Sequence, residues 1–329
     1  MAEMTYREAI RQTLREELQN DERVFLIGED IGRFGGSFKV TMGLIDEFGP
    51  RRIWSSPISE AGIMGLALGA AATGLVPIAE IMFVDFVTCA MDQVVNQAAK
   101  IRYMFGAKMS LPVTIRMTMG GRRAAAAQHS QCLESWFMHV PGLKIAMPSN
   151  ARDAKGLLKT AVRDPNPVLF LENKVLYNEC GEVPTNPYFV PFGQANVVRQ
   201  GTDVTVVALS DMVGFALKAA DTLAQEGVSV EVIDPRTLVP LDIKAICASV
   251  KKTNRLVIAH EACLTGGAGA EIAAQVQHEV FSYLDAPIER VGAKDSPIPF
   301  APVLENYILP NDKDVVEAAR RTLYREKQP

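Results

Sequence analysis

Strand-like and helix-like stretches alternate along almost the whole of this 329-residue chain, and this alternation limits its possible folds more than any other feature. Short apolar runs such as "RVFLIGED" and "PVLFLEN" predict buried strands. Longer amphipathic stretches between them, such as residues 4–19, predict helices. Strands connected through helices form parallel sheets with helices on both faces. The sequence therefore predicts an α/β fold.

A change of composition divides the chain into two parts. Residues 176–199 include "YNECGEVPTNPYFVPFGQ", which is rich in Pro, Gly and Asn and has no periodicity, as is typical of a linker. The alternation of strands and helices starts again after it, and the length of the chain is typical of two domains. We therefore expect domains at 1–175 and 200–329, each with a mainly parallel sheet flanked by helices.

Charge and cysteine content exclude several classes of protein. The net charge of −4 and the pI of about 5.7 argue against a nucleic-acid-binding protein, which normally carries a basic surface. The N-terminus is charged and has no apolar signal core, so we expect a cytoplasmic protein with no membrane association. The five cysteines are scattered and form no CxxC motif, so neither a disulfide framework nor a zinc site is expected.

An apolar stretch from Ala61 to Ala79 contains no charged residue. Its length would suit a membrane span, but glycines and Pro77 interrupt it, and Glu60 and Glu80 flank it closely. A helix followed by a buried strand fits better. Because the helix is apolar on all sides, the pattern predicts that it is buried.

Glu60 has two interpretations. A carboxylate immediately before an apolar helix is favoured by the helix dipole and needs no further role. Alternatively, it is a desolvated acid with a raised pKa, suited to exchanging a proton with a bound ring. The spacing of residues does not choose between the two.

The histidines offer few candidates for chemistry. His129 follows the glycine-led "GGRR" stretch and is a candidate acid, base or ligand, although a plain loop histidine is equally consistent. His139 and His278 are expected on helix surfaces or in packing. His260 ends a strand beside Glu261, where parallel sheets present functional groups, but a structural contact explains it as well.

The stretch "TGGAGAE" at 265–271 follows a strand and opens a helix, as phosphate loops do. It has no third glycine at the position that such loops require and no lysine, so we interpret it as a tight turn. No nucleophile elbow or serine–histidine–acid order is present. Residue spacing alone therefore does not reach a reaction.

Eight stretches that occur in a fixed order along the chain do indicate a reaction. Together they closely resemble the beta chain of the thiamine-diphosphate-dependent 2-oxo acid dehydrogenases, the decarboxylating first component of the pyruvate, branched-chain and acetoin dehydrogenase complexes. The resemblance extends from about Thr5 to Leu323. The stretches are "GED" at 28–30, "PISEAGIMGLALGAA" at 57–71, "AEIMFVDF" at 79–86, "DQVVNQAAKIRYMFG" at 92–106, "AQHSQ" at 127–131, "PGLKIAMPSNARDAKGLL" at 141–158, "VIDPRTLVPLD" at 232–242 and "HEACLTGGAGAEI" at 260–272.

This resemblance implies an N-terminal pyrimidine-binding domain, a C-terminal transketolase-like domain and a set of site residues. Glu60 would hydrogen-bond a ring nitrogen of the aminopyrimidine of thiamine diphosphate and favour its imino tautomer. Phe86 would stack on that ring, and Met82 and Ile58 stand at further cofactor-binding positions. His129 matches a loop histidine that assists acyl transfer to the lipoyl arm. Glu60 and His129 are thus the predicted catalytic residues.

The resemblance also implies a potassium site formed by backbone carbonyls and one acid. The matching positions lie in and near "AVRDPNP" at 161–167. An ordinary helix end before Pro165 is the alternative. The predicted ligands are Val113, Ala161, Val162, Asp164 and Asn166.

The chain contains no "GDG" segment, the element that holds magnesium and diphosphate in self-sufficient relatives of the family. The resemblance therefore implies an alpha subunit that supplies those contacts, in a tetramer of two alpha and two beta chains. A lipoyl acyltransferase core would be the larger partner, docked through the C-terminal domain.

The expected substrate is a pyruvate-like 2-oxo acid or acetoin. Gln128 and "HSQCLE" are closer to the pyruvate and acetoin members than to the branched-chain members, and "AEIMFVDF" and "NQAAKIRYMFG" lean towards acetoin dehydrogenases. A branched-chain 2-oxo acid dehydrogenase beta subunit is the alternative within the family. Outside it stand a self-sufficient transketolase-like enzyme and a non-catalytic nucleotide-binding protein.

Overall fold

The computed structural model describes residues 1–324. Its strands are β1 (Ala2–Thr5), β2 (Val24–Glu29), β3 (Ile53–Ser56), β4 (Val76–Ile81), β5 (Thr114–Met119), β6 (Lys144–Ala146), β7 (Val168–Asn173), β8 (Cys180–Val183), β9 (Asn196–Arg199), β10 (Val204–Ala208), β11 (Val230–Asp234), β12 (Thr237–Val239), β13 (Leu256–Cys263) and β14 (Glu289–Ala293). Its α-helices are α1 (Tyr6–Asn20), α2 (Leu44–Phe48), α3 (Glu60–Ala72), α4 (Ile101–Met104), α5 (Glu134–Met138), α6 (Ala151–Val162), α7 (Met212–Ala224), α8 (Ile243–Thr253), α9 (Ala268–Val280), α10 (Pro302–Ile308) and α11 (Asp312–Thr322).

The chain forms two compact units. The first contains Met1–Met119 and Trp136–Phe192, and the second contains Gly120–Ser135 and the chain from Gly193 onwards. The segment at 120–135 thus belongs with the second half of the chain. The exact residues of the predicted domain boundaries, 175 and 200, stay a prediction.

The first unit is built on a parallel sheet with the strand order β6-β7-β5-β4-β2-β3. Helices α1 and α6 pack on it through a buried cluster that includes Ile10, Leu14, Leu157 and Phe170. The strands β2, β5 and β7 are buried along their whole length and β4 at all but one position, as expected for a sheet covered on both faces, whereas the edge strand β3 is largely exposed. The carboxyl ends of β2, β4 and β5 lie side by side, because these strands pair in parallel.

The second unit has the strand order β14-β13-β10-β11-β9, in which only β9 runs antiparallel to its neighbour. Helices α7 and α11 cover its core, which includes Val206, Ala216, Val232 and Val315. The predicted α/β class with mainly parallel sheets is confirmed for both units.

Local signals in the sequence set several helix ends. Thr5 and Glu8 form a capping box at the start of α1, with the Thr5 hydroxyl accepting from the Glu8 backbone and the Glu8 carboxylate accepting from the Thr5 backbone. The sequence predicts either Ser149 or Asn150 as the cap of α6, and Asn150 is confirmed, because its side chain accepts a hydrogen bond from the Asp153 backbone N–H.

The sequence "DFVTCAMDQVVNQAAKIRYMFG", from Asp85 to Gly106, predicts one long helix, and this prediction is wrong. The chain instead forms a 3₁₀ turn at Val84–Ala90, a π-helical turn at Asp92–Ala98 and the short α4. Mixed turns of this kind re-aim successive side chains in ways that a regular 3.6-residue period does not describe, and they occur often at functional sites.

Burial of α3 on all sides is also wrong for this chain. Ile63, Met64 and Ala67 are buried, whereas Ala61 and Leu66 on the opposite side are exposed. An apolar sequence is buried only where neighbouring elements cover it, and within the described residues they cover one face of this helix. Among those residues no helix has the length and apolar character needed to cross a membrane.

The stretch interpreted as a linker contains regular structure. β8 pairs antiparallel with β1 at the N-terminus, with Ala2 opposite Val183. β9 joins the sheet of the second unit. The local sequence predicts neither pairing, because each partner strand lies far away along the chain.

Candidate functional site

Glu60 is the first residue of α3 and is half-buried. Its carboxylate lies where the helix dipole favours negative charge. Ile58, two residues earlier, is 82% exposed. In the chain alone, Ile58 can therefore contact a bound molecule without any rearrangement of the core.

Glu29 lies at the carboxyl end of β2 and is buried. Burial raises the pKa of Glu29, and the negative charges of Glu60, Asp30 and Glu80 raise it further. Its Oε1 atom has no hydrogen-bond partner among the described residues. Glu29 and Glu60 thus form an acidic pair at the end of a parallel sheet, the edge at which such sheets bind ligands.

Gly28 makes this arrangement possible. A Cβ atom at position 28 would lie 2.9 Å from the carbonyl oxygen of Glu80 and 3.1 Å from the Ile31 side chain. Strands β2 and β4 therefore approach too closely at this point for any side chain. The stretch "GED" at 28–30 is explained by this approach together with the acid that follows it.

Phe86 and Met82 follow β4. Phe86 is half-buried in the 3₁₀ turn, which packs against α3, and its ring meets that of Phe83 edge-on at 5.9 Å. Phe83 in turn contacts Phe38 at 5.6 Å. The backbone oxygen of Met82 accepts a 2.6 Å hydrogen bond from the Thr118 hydroxyl, which ties the end of β4 to β5. The structure thus places Glu60, Phe86 and Met82 on neighbouring elements of the first unit.

A buried ion cluster supports this edge of the sheet, and residue spacing did not predict it. Arg116 is 2% exposed and binds both carboxylate oxygens of Glu172, at 2.7 and 2.8 Å, and Glu80 at 2.6 Å. The Tyr177 hydroxyl donates to Glu172 at 2.7 Å. Burial alone would lower the pKa of Arg116, but the two carboxylates outweigh it and raise the pKa. The signal in the sequence was one arginine within the otherwise apolar "LPVTIRM" strand.

His129 lies in the second unit, in the loop between β5 and α5, and is half-buried. The structure therefore groups Glu60, Phe86, Met82 and Ile58 in one unit and His129 in the other. Glu134 follows five residues later and is fully buried, and this burial raises its pKa to about 7.

His260 is a packing residue. It is fully buried, and neither ring nitrogen makes a hydrogen bond with good geometry among the described residues. Glycines surround the ring: a Cβ atom at Gly267 would lie 2.6 Å from it, and one at Gly269 would lie 2.8 Å from it. The glycines of "TGGAGAE" therefore make room for the imidazole, which agrees with a tight turn. His139 and His278 are exposed on the surface.

His260 predicts a pH dependence of stability. Burial lowers its pKa from 6.5 to about 4, so the unfolded chain binds a proton more readily. The contribution of neutral His260 to the free energy of unfolding is complete above pH 6.5. It is lost as the pH falls to 4, a change of about 3 kcal/mol. When the free energy of unfolding is measured in urea between pH 7 and 4, His260→Gln should lose the part of its pH dependence that His260 causes. The exposed His278→Gln should keep it, and equal slopes in both variants would contradict the prediction.

The five predicted potassium ligands lie near one turn, and internal hydrogen bonds or ion pairs engage Val113, Ala161, Asp164 and Asn166. Asp164 pairs with Lys144 through Oδ2, and its Oδ1 accepts hydrogen bonds from the backbone and side chain of Asn166, both at 2.9 Å. The carbonyl of Val113 accepts from Val168 at 2.9 Å, and that of Ala161 accepts from Asp164 at 3.1 Å. A cation at this turn would compete with Lys144 for the Asp164 carboxylate.

Within residues 1–324, no group of three or more histidine, cysteine or acidic side chains has an arrangement that could hold a metal ion. The residues of the first unit fit the aminopyrimidine half of thiamine diphosphate: an acid at a helix start, a half-buried aromatic ring and an exposed isoleucine. They provide no cradle for magnesium and diphosphate.

Comparison with known proteins gives matches over both halves of the chain. Residues 2–179 match the family model "Transketolase, pyrimidine binding domain", and residues 193–315 match "Transketolase, C-terminal domain". A solved chain described as "Split gene transketolase, inactive beta4 tetramer" superposes with a TM-score of 0.82 at 25% identity, covering 98% of this chain and 100% of that chain.

Curated relatives are more similar. The pyruvate dehydrogenase E1 component subunit beta-2, mitochondrial, of Oryza sativa subsp. japonica is 48% identical over 98% of this chain and 87% of its own length. The pyruvate dehydrogenase E1 component subunit beta of Rickettsia felis is 48% identical over 98% of this chain and 99% of its own. That of Rhizobium meliloti is 47% identical over 99% of this chain and 71% of its own.

Proposed function

Because this chain belongs to the family of pyruvate dehydrogenase E1 component beta subunits, we propose that it is the beta subunit of a thiamine-diphosphate-dependent 2-oxo acid dehydrogenase. It would act as an oxidoreductase on a pyruvate-like 2-oxo acid and pass the acyl group to lipoamide, together with an alpha subunit. The observation that carries the proposal is the acidic pair Glu29 and Glu60, beside Phe86 at the carboxyl end of the parallel sheet.

Thiamine diphosphate, when bound, supplies a nucleophilic thiazolium carbon that adds to a carbonyl group. The chain's part is to bind, orient and transfer a proton. Glu60 would hold a proton at a ring nitrogen of the aminopyrimidine, and Phe86 would fix the plane of that ring. Burial and the charge of Glu60 raise the pKa of Glu29, so Glu29 would hold a proton beside Glu60 more readily than an exposed acid does. The buried β4 excludes water from one side, which strengthens the hydrogen bond between Glu60 and the ring.

Residues of this chain supply only part of such a site, and we propose that an alpha subunit brings magnesium and the diphosphate contacts in a heterotetramer. The absence of a "GDG" segment supports this proposal. A solved relative whose title describes it as a split-gene transketolase and an inactive tetramer of beta chains is consistent with it. The larger partner would be a lipoyl acyltransferase core. His129 would assist the acyl transfer to it.

Acetoin is the second candidate substrate. The stretches "AEIMFVDF" and "NQAAKIRYMFG" favour it, whereas the curated relatives named above are pyruvate dehydrogenase subunits. We propose the cytoplasm as the location. The five cysteines, all within the described residues, form no disulfide, which suits a reducing compartment, and the rice relative carries the word "mitochondrial" in its name.

The test is co-purification of the chain with a candidate alpha subunit from the same organism. Reduction of an artificial electron acceptor would be measured with pyruvate, a branched 2-oxo acid and acetoin in parallel, with and without thiamine diphosphate. Cofactor-dependent turnover only when both chains are present is the expected result, and the preferred substrate then defines the subfamily. Turnover by this chain alone would favour a self-sufficient transketolase-like enzyme. A well-formed complex without turnover would favour a non-catalytic protein.

The potassium site can be tested by stability. If the turn at Asp164 binds the ion, replacing 100 mM NaCl by KCl should raise Tm by a few degrees, through about 1–3 kcal/mol of binding free energy. Asp164→Asn should abolish the difference between the two salts, whereas the exposed Asp46→Asn should keep it. Equal Tm values of the unsubstituted protein in both salts would contradict potassium binding at this turn.

A further inference from the structure

The loop that carries His129 has a strained backbone. Arg122, Ala124 and Ala126 have φ values of +63°, +49° and +61°, in the left-handed region that side chains disfavour. Each such residue adds strain to the folded backbone. The ends of the loop are joined by a 3.1 Å hydrogen bond from the backbone N–H of Gly120 to the carbonyl of Gln131. Tertiary contacts must therefore hold the loop in this conformation.

Three buried carboxylates of the second unit make those contacts, and we call them the carboxylate clamp: Asp211, Glu261 and Glu305. Glu261 accepts a hydrogen bond from the backbone N–H of Gly121, and Glu305 accepts one from that of Ala124 at 3.1 Å. The clamp thus holds the loop mainly through hydrogen bonds to the backbone of the loop. Hydrogen bonds from backbone N–H groups to buried carboxylates are stronger than neutral ones.

Arg122 adds a side-chain contact to the clamp. Its Nε atom lies 3.2 Å from Asp211 Oδ2, and its Nη2 atom donates to the carbonyl of Pro310 at 2.6 Å. The guanidinium also lies over the ring of Phe215, 4.4 Å from its centroid. A residue in the left-handed conformation is thus fixed on three sides.

The buried acids of the clamp destabilise the fold, which would be unexpected if the loop had no function. Glu305 Oε1 and Asp211 Oδ1 are buried and have no hydrogen-bond partner among the described residues. Burial and the charge of Glu261 raise the pKa of Asp211 well above its usual range. Buried acids that lack full compensation destabilise a fold. Strain and unbalanced charge that occur together are typical of functional sites.

We propose that Asp211, Glu261 and Glu305 are positioning residues that hold the strained loop and thereby aim His129 for acyl transfer to the lipoyl group. This inference rests on the proposed function and adds to it the set of residues on which His129 depends. The clamp acts on the backbone from Gly121 to Ala124. Its effect on the reaction therefore passes through the loop.

Glu305 is the best position for a test, because one oxygen of its carboxylate makes the loop contact and the other is unpaired. Glu305→Ala removes the acceptor for Ala124. Glu305→Gln keeps an acceptor oxygen and places an amide at the unpaired position. The exposed Glu317→Ala on α11 is the matched control.

The experiment uses the complex with the alpha subunit and two assays, reduction of an artificial electron acceptor and acylation of a free lipoyl domain. Glu305→Ala should lower the acylation rate at least about tenfold more than it lowers acceptor reduction. Glu305→Gln and Glu317→Ala should both remain close to the unsubstituted complex. Combining Glu305→Ala with His129→Ala should be no worse than His129→Ala alone, since the two changes act through one group.

Hydrogen exchange of the peptides that cover residues 120–131 provides a readout independent of activity. Glu305→Ala should speed their exchange, and Glu305→Gln should restore protection. Unchanged exchange, an equal loss in both assays or additive effects in the double variant would each overturn the proposal. If the unsubstituted complex shows no turnover, the proposed function fails, while the exchange data still test whether the clamp holds the loop.

Discussion

Glu60→Gln should remove nearly all cofactor-dependent turnover while the chain still assembles with its alpha subunit. An amide at this position can hydrogen-bond a ring nitrogen but cannot supply and recover a proton, and losing such a group lowers rates by about 10²–10⁴-fold. Stability should change by only about 0.5 kcal/mol, since Glu60 is half-exposed and at most a helix-start charge is lost. Acceptor reduction, thiamine diphosphate affinity and Tm would be measured on the same preparation.

The same variant separates the two interpretations of Glu60. If the carboxylate only complements the helix dipole, Glu60→Gln would destabilise the chain by about 0.3–1 kcal/mol and leave turnover intact. Glu22→Gln, at an exposed position of the same unit, is the control for handling and assembly. Retained turnover in Glu60→Gln would refute the proton-transfer role.

The second large effect concerns Arg116. Arg116→Met should destabilise the first unit by about 3–5 kcal/mol, because it leaves Glu80 and Glu172 buried without their cation. Arg15→Met removes an ion pair with Glu47 that is more than one-third exposed on both sides, and it should cost at most about 1 kcal/mol. Urea unfolding of both variants beside the unsubstituted chain gives the comparison.

A pH series adds a signature that simple loss of packing would not produce. Burial already raises the pKa of Glu80 and Arg116 opposes that shift, so without Arg116 Glu80 would stay protonated in the folded chain to a higher pH than in the unfolded chain. A raised folded pKa means that stability is lost as the pH rises, so Arg116→Met should lose stability between about pH 5 and 8 more steeply than the unsubstituted chain. A pH-independent difference would show that lost packing is the main effect.

The sequence predicted elements well where the signal was local. Strand β2 and the cap of α6 follow from short runs of residues whose preferences agree with the final fold. The site residues of the first unit required the resemblance to a family, because a half-buried phenylalanine such as Phe86 has no distinctive spacing. The resemblance to the family predicted which residues form the site, and the structure shows what surrounds each of them.

Features that depend on distant residues could not be predicted from local pattern. β8 pairs with β1 across most of the first unit, and Arg116 is neutralised by Glu172, 56 positions later in the chain. The helix α3 was expected to be buried all round because its residues are apolar, yet burial depends on what covers each face. The irregular turns after β4 break the period on which the prediction of a long helix depended.

Gly28 has a consequence for mutational scanning. Every substitution at this position would force a side chain against the Glu80 carbonyl and move β2 away from β4. In a saturation library selected for growth, position 28 would tolerate no replacement and would score like a catalytic residue, although it has no reactive group. A scan of abundance run in parallel would tell it apart, because loss of Gly28 lowers the amount of folded protein whereas Glu60→Gln leaves that amount unchanged.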